Sequence, residues 1–212
     1  PARSDLLMAF FLFLSLLFFI RFRQKGKRII YAASLVSFAL SLISKEMAIA
    51  LPLLLALEIF RNPKEEKPPF KILWPYIVTI ISYALLRITV LNFAKGPNPI
   101  IDFSFSSNLP LWVRLLTDFK VIFLYLRILI LPLGLHMDRF IEPARSVFQP
   151  ETLLYISGFI ITIRAIKKIS NKNNLILFGS LWFLAALLPV LNIYPISVLF
   201  GEGWLYIPSI GF

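Results

Sequence analysis

Seven apolar blocks, separated by short charged or proline-rich stretches, dominate the sequence and predict membrane helices. They are 6–20 (segment A), 29–43 (B), 47–60 (C), 72–91 (D), 113–135 (E), 153–166 (F) and 175–191 (G), and a further apolar stretch begins at Ile210. Most are shorter than the about 20 residues of an ordinary span, so flanking Lys and Arg side chains are expected to reach the interface. The pattern predicts an all-α polytopic transmembrane bundle of about six to eight membrane segments, with a kink at Pro52 in segment C.

Segment E differs from the other blocks because charged side chains interrupt it. Polar residues share about half of its helical wheel: Arg114, Thr117, Asp118, Lys120, Tyr125 and Arg127. This pattern is typical of an interfacial or re-entrant helix. Residues 92–152 are therefore expected to form an outer loop region that contains one amphipathic helix.

Composition places the chain among integral membrane proteins. Hydrophobic residues make up 58% of its 212 residues, and the mean hydropathy is +0.81, more than a soluble domain of this size could cover with polar surface. The net charge is +11, but 13 of the 22 Lys and Arg lie in three short loops between apolar blocks. Orientation in the bilayer explains such loops, so nucleic-acid binding is discarded. The chain has no Cys, which excludes disulfides and thiolate metal sites.

The basic loops also predict which side of the membrane each segment end faces. The first cluster, from Arg21 to Arg28, and the later ones near Arg61 and Lys167 are expected in the cytoplasm. The opposite, outer face then gathers nine ionisable residues: Arg3, Asp5, Lys45, Glu46, Arg87, Lys120, Asp138, Arg139 and Glu202. An ionisable residue at a helix end is usually a solvated or snorkelling group. Lys120 and Arg127, in apolar surroundings, need a partner or an anionic ligand, and His136 is expected to be structural.

Four short motifs resemble, in order, those of the TMTC-type membrane proteins related to protein O-mannosyltransferases. Residues 2–7, ARSDLL, resemble a "GRADLL" helix entry, and Ser44-Lys45-Glu46 resembles a "K-E" turn. Residues 114–138 resemble the loop region of that family, and residues 201–212, GEGWLYIPSIGF, resemble "AERxLYLPSxGF". Gly203 stands where the family pattern has Arg, which leaves the role of the Glu-Arg pair open.

The resemblance implies a GT-C type glycosyltransferase that uses a polyprenyl- or dolichyl-phosphate sugar, with mannose expected, and a protein hydroxyl as acceptor on the non-cytoplasmic face. It also implies that the catalytic carboxylate lies upstream of Pro1 and that tetratricopeptide repeats follow the membrane region. The chain opens without Met and ends as an apolar stretch starts. It is therefore expected to be part of a single transmembrane glycosyltransferase domain, truncated at both ends and inactive alone.

A lipid-phosphate donor leaves a phosphate anion that Arg or Lys near the interface would stabilise. The candidate donor-phosphate residues are Arg87, Lys120 and Lys45. The candidates for supporting them or orienting the acceptor are Arg3, Asp5, Glu46, Asp138, Glu202 and Tyr206. No metal-ligand spacing is visible, although one outer carboxylate and the donor phosphate could hold a divalent cation weakly.

Two other interpretations stay open. A transporter of lipid-linked substrates would also use intramembrane charges but tends to show repeated halves, and the sequence has no convincing internal repeat. A non-catalytic polytopic scaffold would leave the outer charges scattered. Lys and Ile richness with short loops favours a bacterial or archaeal plasma membrane, with the endoplasmic reticulum membrane as the alternative.

Overall fold

The computed structural model describes residues 2–61, 70–89, 109–135, 141–170, 174–193 and 199–212, and their regular elements are all helices. The α-helices are α1 (Ala2–Lys25), α2 (Arg28–Ser44), α3 (Leu51–Arg61), α4 (Trp74–Thr89), α5 (Leu111–Ile130), α6 (Pro150–Ser170) and α7 (Asn174–Leu187). The 3-10 helices are Glu46–Ala50, Phe70–Leu73, Leu188–Val190, Glu202–Leu205 and Pro208–Gly211. The all-α class is confirmed.

Each predicted segment from A to G overlaps one of the seven α-helices, in order. The apolar stretch that begins at Ile210 is different, because it lies within and just after a 3-10 helix, Pro208–Gly211, that packs against α7. Trp182 of α7 donates its indole N–H to the carbonyl of Ile207 at 3.1 Å. These last residues fold back on the preceding helix.

Pro52 does not kink the middle of a helix. Segment C begins as the 3-10 helix Glu46–Ala50 and becomes α-helical only at Leu51. Pro52 therefore lies in the first turn of α3, where a helix has no use for the N–H that proline lacks. The kink prediction is wrong for that reason, and the irregularity takes the form of a change of helix type.

Two helical stretches in the described residues are long and apolar enough to cross a membrane, namely Arg3–Lys25 and Lys71–Thr89. Arg28–Ser44 and Asn174–Val190 are apolar but shorter. The predicted count of six to eight segments is therefore not confirmed, and it stays a prediction. Large apolar side chains such as Phe10, Ile29 and Ile81 are exposed on these helices, as lipid-facing residues are.

The chain divides into two compact units, Pro1–Pro97 and Asn98–Phe212. In the first unit, α1 and α2 pack as an antiparallel pair joined by a turn at Gly26. Gly26 has φ +67°, a left-handed conformation that suits glycine after a helix C-terminus. Its N–H donates to the carbonyl of Phe22 at 2.7 Å, which closes α1.

Serine side chains join α1 to α2 along their contact. The hydroxyls of Ser15 and Ser34 each donate to the other residue's carbonyl, at 2.8 and 2.6 Å, and Ser41 donates to the carbonyl of Met8 at 2.8 Å. Small residues let helix backbones approach closely, and hydroxyls hold such helices together in an apolar environment. Tyr76 of α4 completes this core, with its hydroxyl 2.6 Å from that of Ser34.

In the second unit, aromatic rings join α5 to α6. Phe119 meets Phe159 edge to face, with ring centroids 5.2 Å apart, and Phe123 meets Tyr155 with centroids 5.3 Å apart. Such pairs are stabilised beyond the area they bury. They fix the side of α5 that faces α6, and so the position of Lys120 near the start of α6.

Candidate functional site

Four ionisable side chains of the first unit, Asp5, Lys45, Glu46 and Arg87, form what we call the charged cluster. Asp5 lies in the first turn of α1, and Lys45 follows the last residue of α2. Because α1 and α2 are antiparallel, these positions meet, and the Lys45 ammonium forms an ion pair with the Asp5 carboxylate. Both side chains are mostly shielded from solvent.

Arg87 and Glu46 make the second ion pair of the charged cluster. Nη1 of Arg87, in the last turn of α4, lies 3.3 Å from Oε2 of Glu46 and 3.4 Å from the hydroxyl oxygen of Tyr83. The Arg87 side chain is 34% exposed and that of Glu46 is 62% exposed. This pair is therefore open to solvent, whereas the Asp5–Lys45 pair is not.

The pKa of the Glu46 carboxyl reflects this setting. Partial burial acts to raise the pKa, but a hydrogen bond from its own backbone N–H, a hydrogen bond and charge from Arg87, and the charge of Lys45 outweigh burial. The net result is a pKa below the ordinary value for glutamate, so Glu46 is ionised at neutral pH. The cluster thus holds two cations and two carboxylates.

The Arg87 guanidinium of the charged cluster is accessible to an anion from solvent. A guanidinium carries five N–H donors and an ammonium carries three. Arg87 is partly exposed, so an incoming phosphate could reach its fork without dismantling the fold. Arg3, another predicted residue, is exposed in the first turn of α1, in the same unit.

Lys120, in the second unit, lines a cavity of about 260 Å³. Its Nζ lies 3.7 Å from Oε2 of Glu151 and 3.4 Å from the carbonyl oxygen of Glu142. It also lies 5.9 Å from the centre of the Tyr155 ring. The expected need for a partner is therefore met within the chain. Arg127 is exposed instead.

The other predicted residues that the structure describes belong neither to the charged cluster nor to the lining of this cavity. Glu202 begins a 3-10 helix in the second unit and is half-buried, and Tyr206 is exposed. Asp138, like Arg139 and His136, lies outside the described residues. Gly203 is exposed, and a Cβ placed on it would meet nothing within 4 Å.

The second unit also contains a network of hydrogen bonds around a buried carboxylate. This network was not predicted from the sequence. Oδ1 of Asp118 accepts hydrogen bonds from the backbone N–H and the side-chain amide of Asn192, both at 3.0 Å. Arg114 donates to the carbonyls of Asn192 and Ile193, both at 3.1 Å. Tyr125 donates its hydroxyl to the carbonyl of Gly201 at 3.0 Å. Together these contacts fasten the ends of the stretch from 192 to 201 to α5.

The network has a signal in the sequence, but an incomplete one. Arg114, Asp118 and Tyr125 are spaced by four and seven residues, which places them on one side of α5. Asn192, the partner of both Arg114 and Asp118, is 74 residues beyond Asp118, and no local pattern links it to α5. Periodicity could therefore find the polar side of the helix but not what that side binds.

The described part of the chain contains no obvious metal site. Within it, no three side chains of the types His, Asp and Glu lie together as a metal site requires. The expectation of a weakly held divalent cation involved the donor phosphate as a ligand, so this arrangement does not test it.

No family model, curated protein or solved structure matches the chain. The resemblance to the TMTC-type proteins stays a prediction that depends on its four motifs.

Proposed function

We propose that this chain is part of a membrane glycosyltransferase of the GT-C type. It transfers a sugar, with mannose expected, from a polyprenyl- or dolichyl-phosphate donor to a protein hydroxyl at the non-cytoplasmic face. The observation that carries the proposal is the charged cluster, which joins the ends of α1, α2 and α4 through the Asp5–Lys45 and Glu46–Arg87 ion pairs. Two of the motifs behind the resemblance supply three of these residues.

The chemistry of the donor supports this use of the cluster. When the sugar leaves a lipid phosphate, negative charge develops on the phosphate oxygens. Cations held in position beforehand stabilise that charge without reorganising during the reaction. The carboxylates of Asp5 and Glu46 supply such positioning, because each holds one cation. Arg87 provides the planar fork that suits a phosphate, and Lys45 provides a point charge.

The distribution of charge within the first unit supports the assignment of sides. The charged cluster is balanced, whereas the α1–α2 turn and its flanks carry the cations Arg21, Arg23, Lys25, Lys27 and Arg28. Under the positive-inside rule the basic turn faces the cytoplasm. The N-terminus of α1 and the C-terminus of α2 then face outward, where a lipid-linked donor would meet its protein acceptor.

Catalysis of the transfer needs a base, which takes the proton from the acceptor hydroxyl as the sugar moves. We assign no described residue to that role, and the proposal gives Glu46 and Asp5 a positioning role. Their carboxylates hold cations, and Glu46 is held in its charged form by Arg87 and Lys45.

The proposal is tested by sugar transfer in membranes that contain the protein as its gene encodes it. Transfer from radiolabelled polyprenyl-phosphate mannose is compared for wild type, Arg87→Ala and Glu46→Gln. Arg28→Ala is the matched control, because Arg28 is an exposed arginine at a helix end next to the basic turn. We expect Arg87→Ala to lose at least about tenfold, since a hydrogen bond to a charged group contributes about 1.5–3 kcal/mol.

The outcomes separate the alternatives. Loss of transfer in both variants, with Arg28→Ala active and all proteins present in the membrane at equal amounts, supports a donor site in the charged cluster. Full transfer in both removes the cluster from the mechanism. If the wild-type protein transfers sugar from none of the lipid-linked donors, the proposal that it is a glycosyltransferase is refuted.

A non-catalytic membrane scaffold is the second candidate, and one observation favours it. Both cations of the charged cluster are already paired with carboxylates of neighbouring elements, as in purely structural cross-links. In a scaffold, Arg87→Ala would lower the stability of the first unit with no effect on any sugar transfer.

A further inference from the structure

The cavity beside Lys120 has a lining of mixed character. It lies in the second unit, between α5 and the stretch that leads from Glu142 into the first turn of α6. The aromatic ring of Tyr155 lines it together with the polar residues Lys120, Glu142, Gln149, Glu151 and Thr152. A ligand that fits it must find both donors and acceptors within a small space.

Lys120 keeps binding capacity despite its ion pair. Its side chain is only 18% exposed, whereas that of Glu151 is 76% exposed. The 3.7 Å between Nζ and Oε2 is longer than the about 2.7–2.9 Å of a direct charge-assisted hydrogen bond. A third polar group could therefore accept from the ammonium and donate to the carboxylate without breaking a strong bond.

The charges of the lining argue against an ionic ligand. An anion that approached Lys120 would also meet the negative charge of Glu151, whose Oε2 lies 3.7 Å from the ammonium nitrogen, and an ammonium ligand would meet Lys120. A hydroxyl group meets neither conflict, because it donates and accepts at the same atom. Tyr155 offers apolar surface against which the C–H face of a ring could pack.

We propose that this cavity binds an uncharged, polyhydroxylated ring of monosaccharide size. Its volume of about 260 Å³ is sufficient for one sugar ring. Lys120 and Gln149 donate to ring hydroxyls, and Glu142 and Glu151 accept from them. The inference goes beyond the proposed function and does not depend on it, because an isolated sugar binds without any transfer.

Ligand-observed saturation-transfer NMR tests the proposal on the protein as its gene encodes it, in detergent micelles. The probes are methyl α-mannoside and methyl α-glucoside, with inorganic phosphate and phosphoethanolamine as competitors. The variants are Lys120→Gln and Glu151→Gln. Lys167→Gln is the matched control, because Lys167 is an exposed lysine at the opposite end of α6.

We expect wild type and Lys167→Gln to bind at least one methyl glycoside, and each cavity variant to bind it about tenfold more weakly, the loss of one hydrogen bond to a charged group. Sugar binding that is unchanged in both cavity variants overturns the proposal. So does an absence of glycoside binding, or displacement of the glycoside by phosphate or phosphoethanolamine at equal concentration. If Lys120→Gln fails to fold, the glycoside affinity of Glu151→Gln alone tests the proposal, because Glu151 is well exposed and its substitution leaves the packing intact.

Discussion

The strongest test of the packing of the first unit is removal of the Ser34 hydroxyl. Ser34 is buried on α2, where it donates to the carbonyl of Ser15 at 2.6 Å and contacts the hydroxyl of Tyr76, also at 2.6 Å. Ser34→Ala removes both contacts. It leaves the Tyr76 hydroxyl, which is buried, without the partner that joins α4 to α2.

The cost follows from these contacts. A hydrogen bond between helices within a membrane contributes about 0.6 kcal/mol on average and up to about 1.7, and a buried hydroxyl that loses its partner costs about 1–3 kcal/mol. We expect Ser34→Ala to lower the free energy of unfolding by about 2 kcal/mol. Ser37→Ala is the matched control, because the buried Ser37 hydroxyl bonds only to Ala33 of its own helix. Its cost should stay below about 0.5 kcal/mol.

The assay is unfolding in mixed micelles by titration with sodium dodecyl sulfate, followed by circular dichroism. The double variant Ser34→Ala/Tyr76→Phe sharpens it, because removing both partners of a buried hydrogen bond costs less than orphaning one of them. The double variant should therefore lose less stability than the sum of the two single variants. Equal losses for Ser34→Ala and Ser37→Ala, or strictly additive losses in the cycle, would refute the reasoning.

Three further predictions concern other contacts. Tyr125→Phe removes the hydroxyl that donates to the carbonyl of Gly201; it should cost about 1–2 kcal/mol and speed limited proteolysis next to Gly201. Gly179→Ala places a Cβ against a backbone carbonyl and should cost about 1–3 kcal/mol in thermal unfolding, while Gly203→Ala, with open space around it, should be neutral. Because the folded pKa of Glu46 is lowered, its stabilisation is present above the unfolded pKa and lost as pH falls below about 4. The stability difference between wild type and Glu46→Gln should shrink over that range, and a constant difference would contradict the assignment.

Periodicity and charge were enough to predict the helices and the meeting of some of their ends. Each apolar block became one α-helix because a long apolar run has few other ways to satisfy its backbone. Asp5 and Lys45 meet because a short turn at Gly26 makes α1 and α2 antiparallel, and the two residues lie at similar distances along the chain on either side of that turn. The chain direction alone therefore brings the charged ends together.

The sequence did not predict a local change of helix type, nor contacts with partners that are distant along the chain. Pro52 looked like an interior proline because the 3-10 helix before it, Glu46–Ala50, is mostly apolar like the α-helix that follows. The hydrophobic pattern therefore shows no boundary between the two. Asp118 looked like a surface charge of an interfacial helix, yet it is buried and binds Asn192. A helical wheel shows that a polar side exists, whereas only tertiary packing decides whether that side meets water or a buried amide.

The serine contacts between α1 and α2 have a consequence for how the protein is made. Ser15 and Ser34 are only 19 residues apart and Met8 and Ser41 only 33 apart, so the hairpin that they close depends on no later part of the chain. Loops of this length close at little entropic cost, and chains fold from the N-terminus as they are synthesised. The hairpin can therefore form before α4 has been synthesised, and α4 then packs against a pair of helices that is already closed.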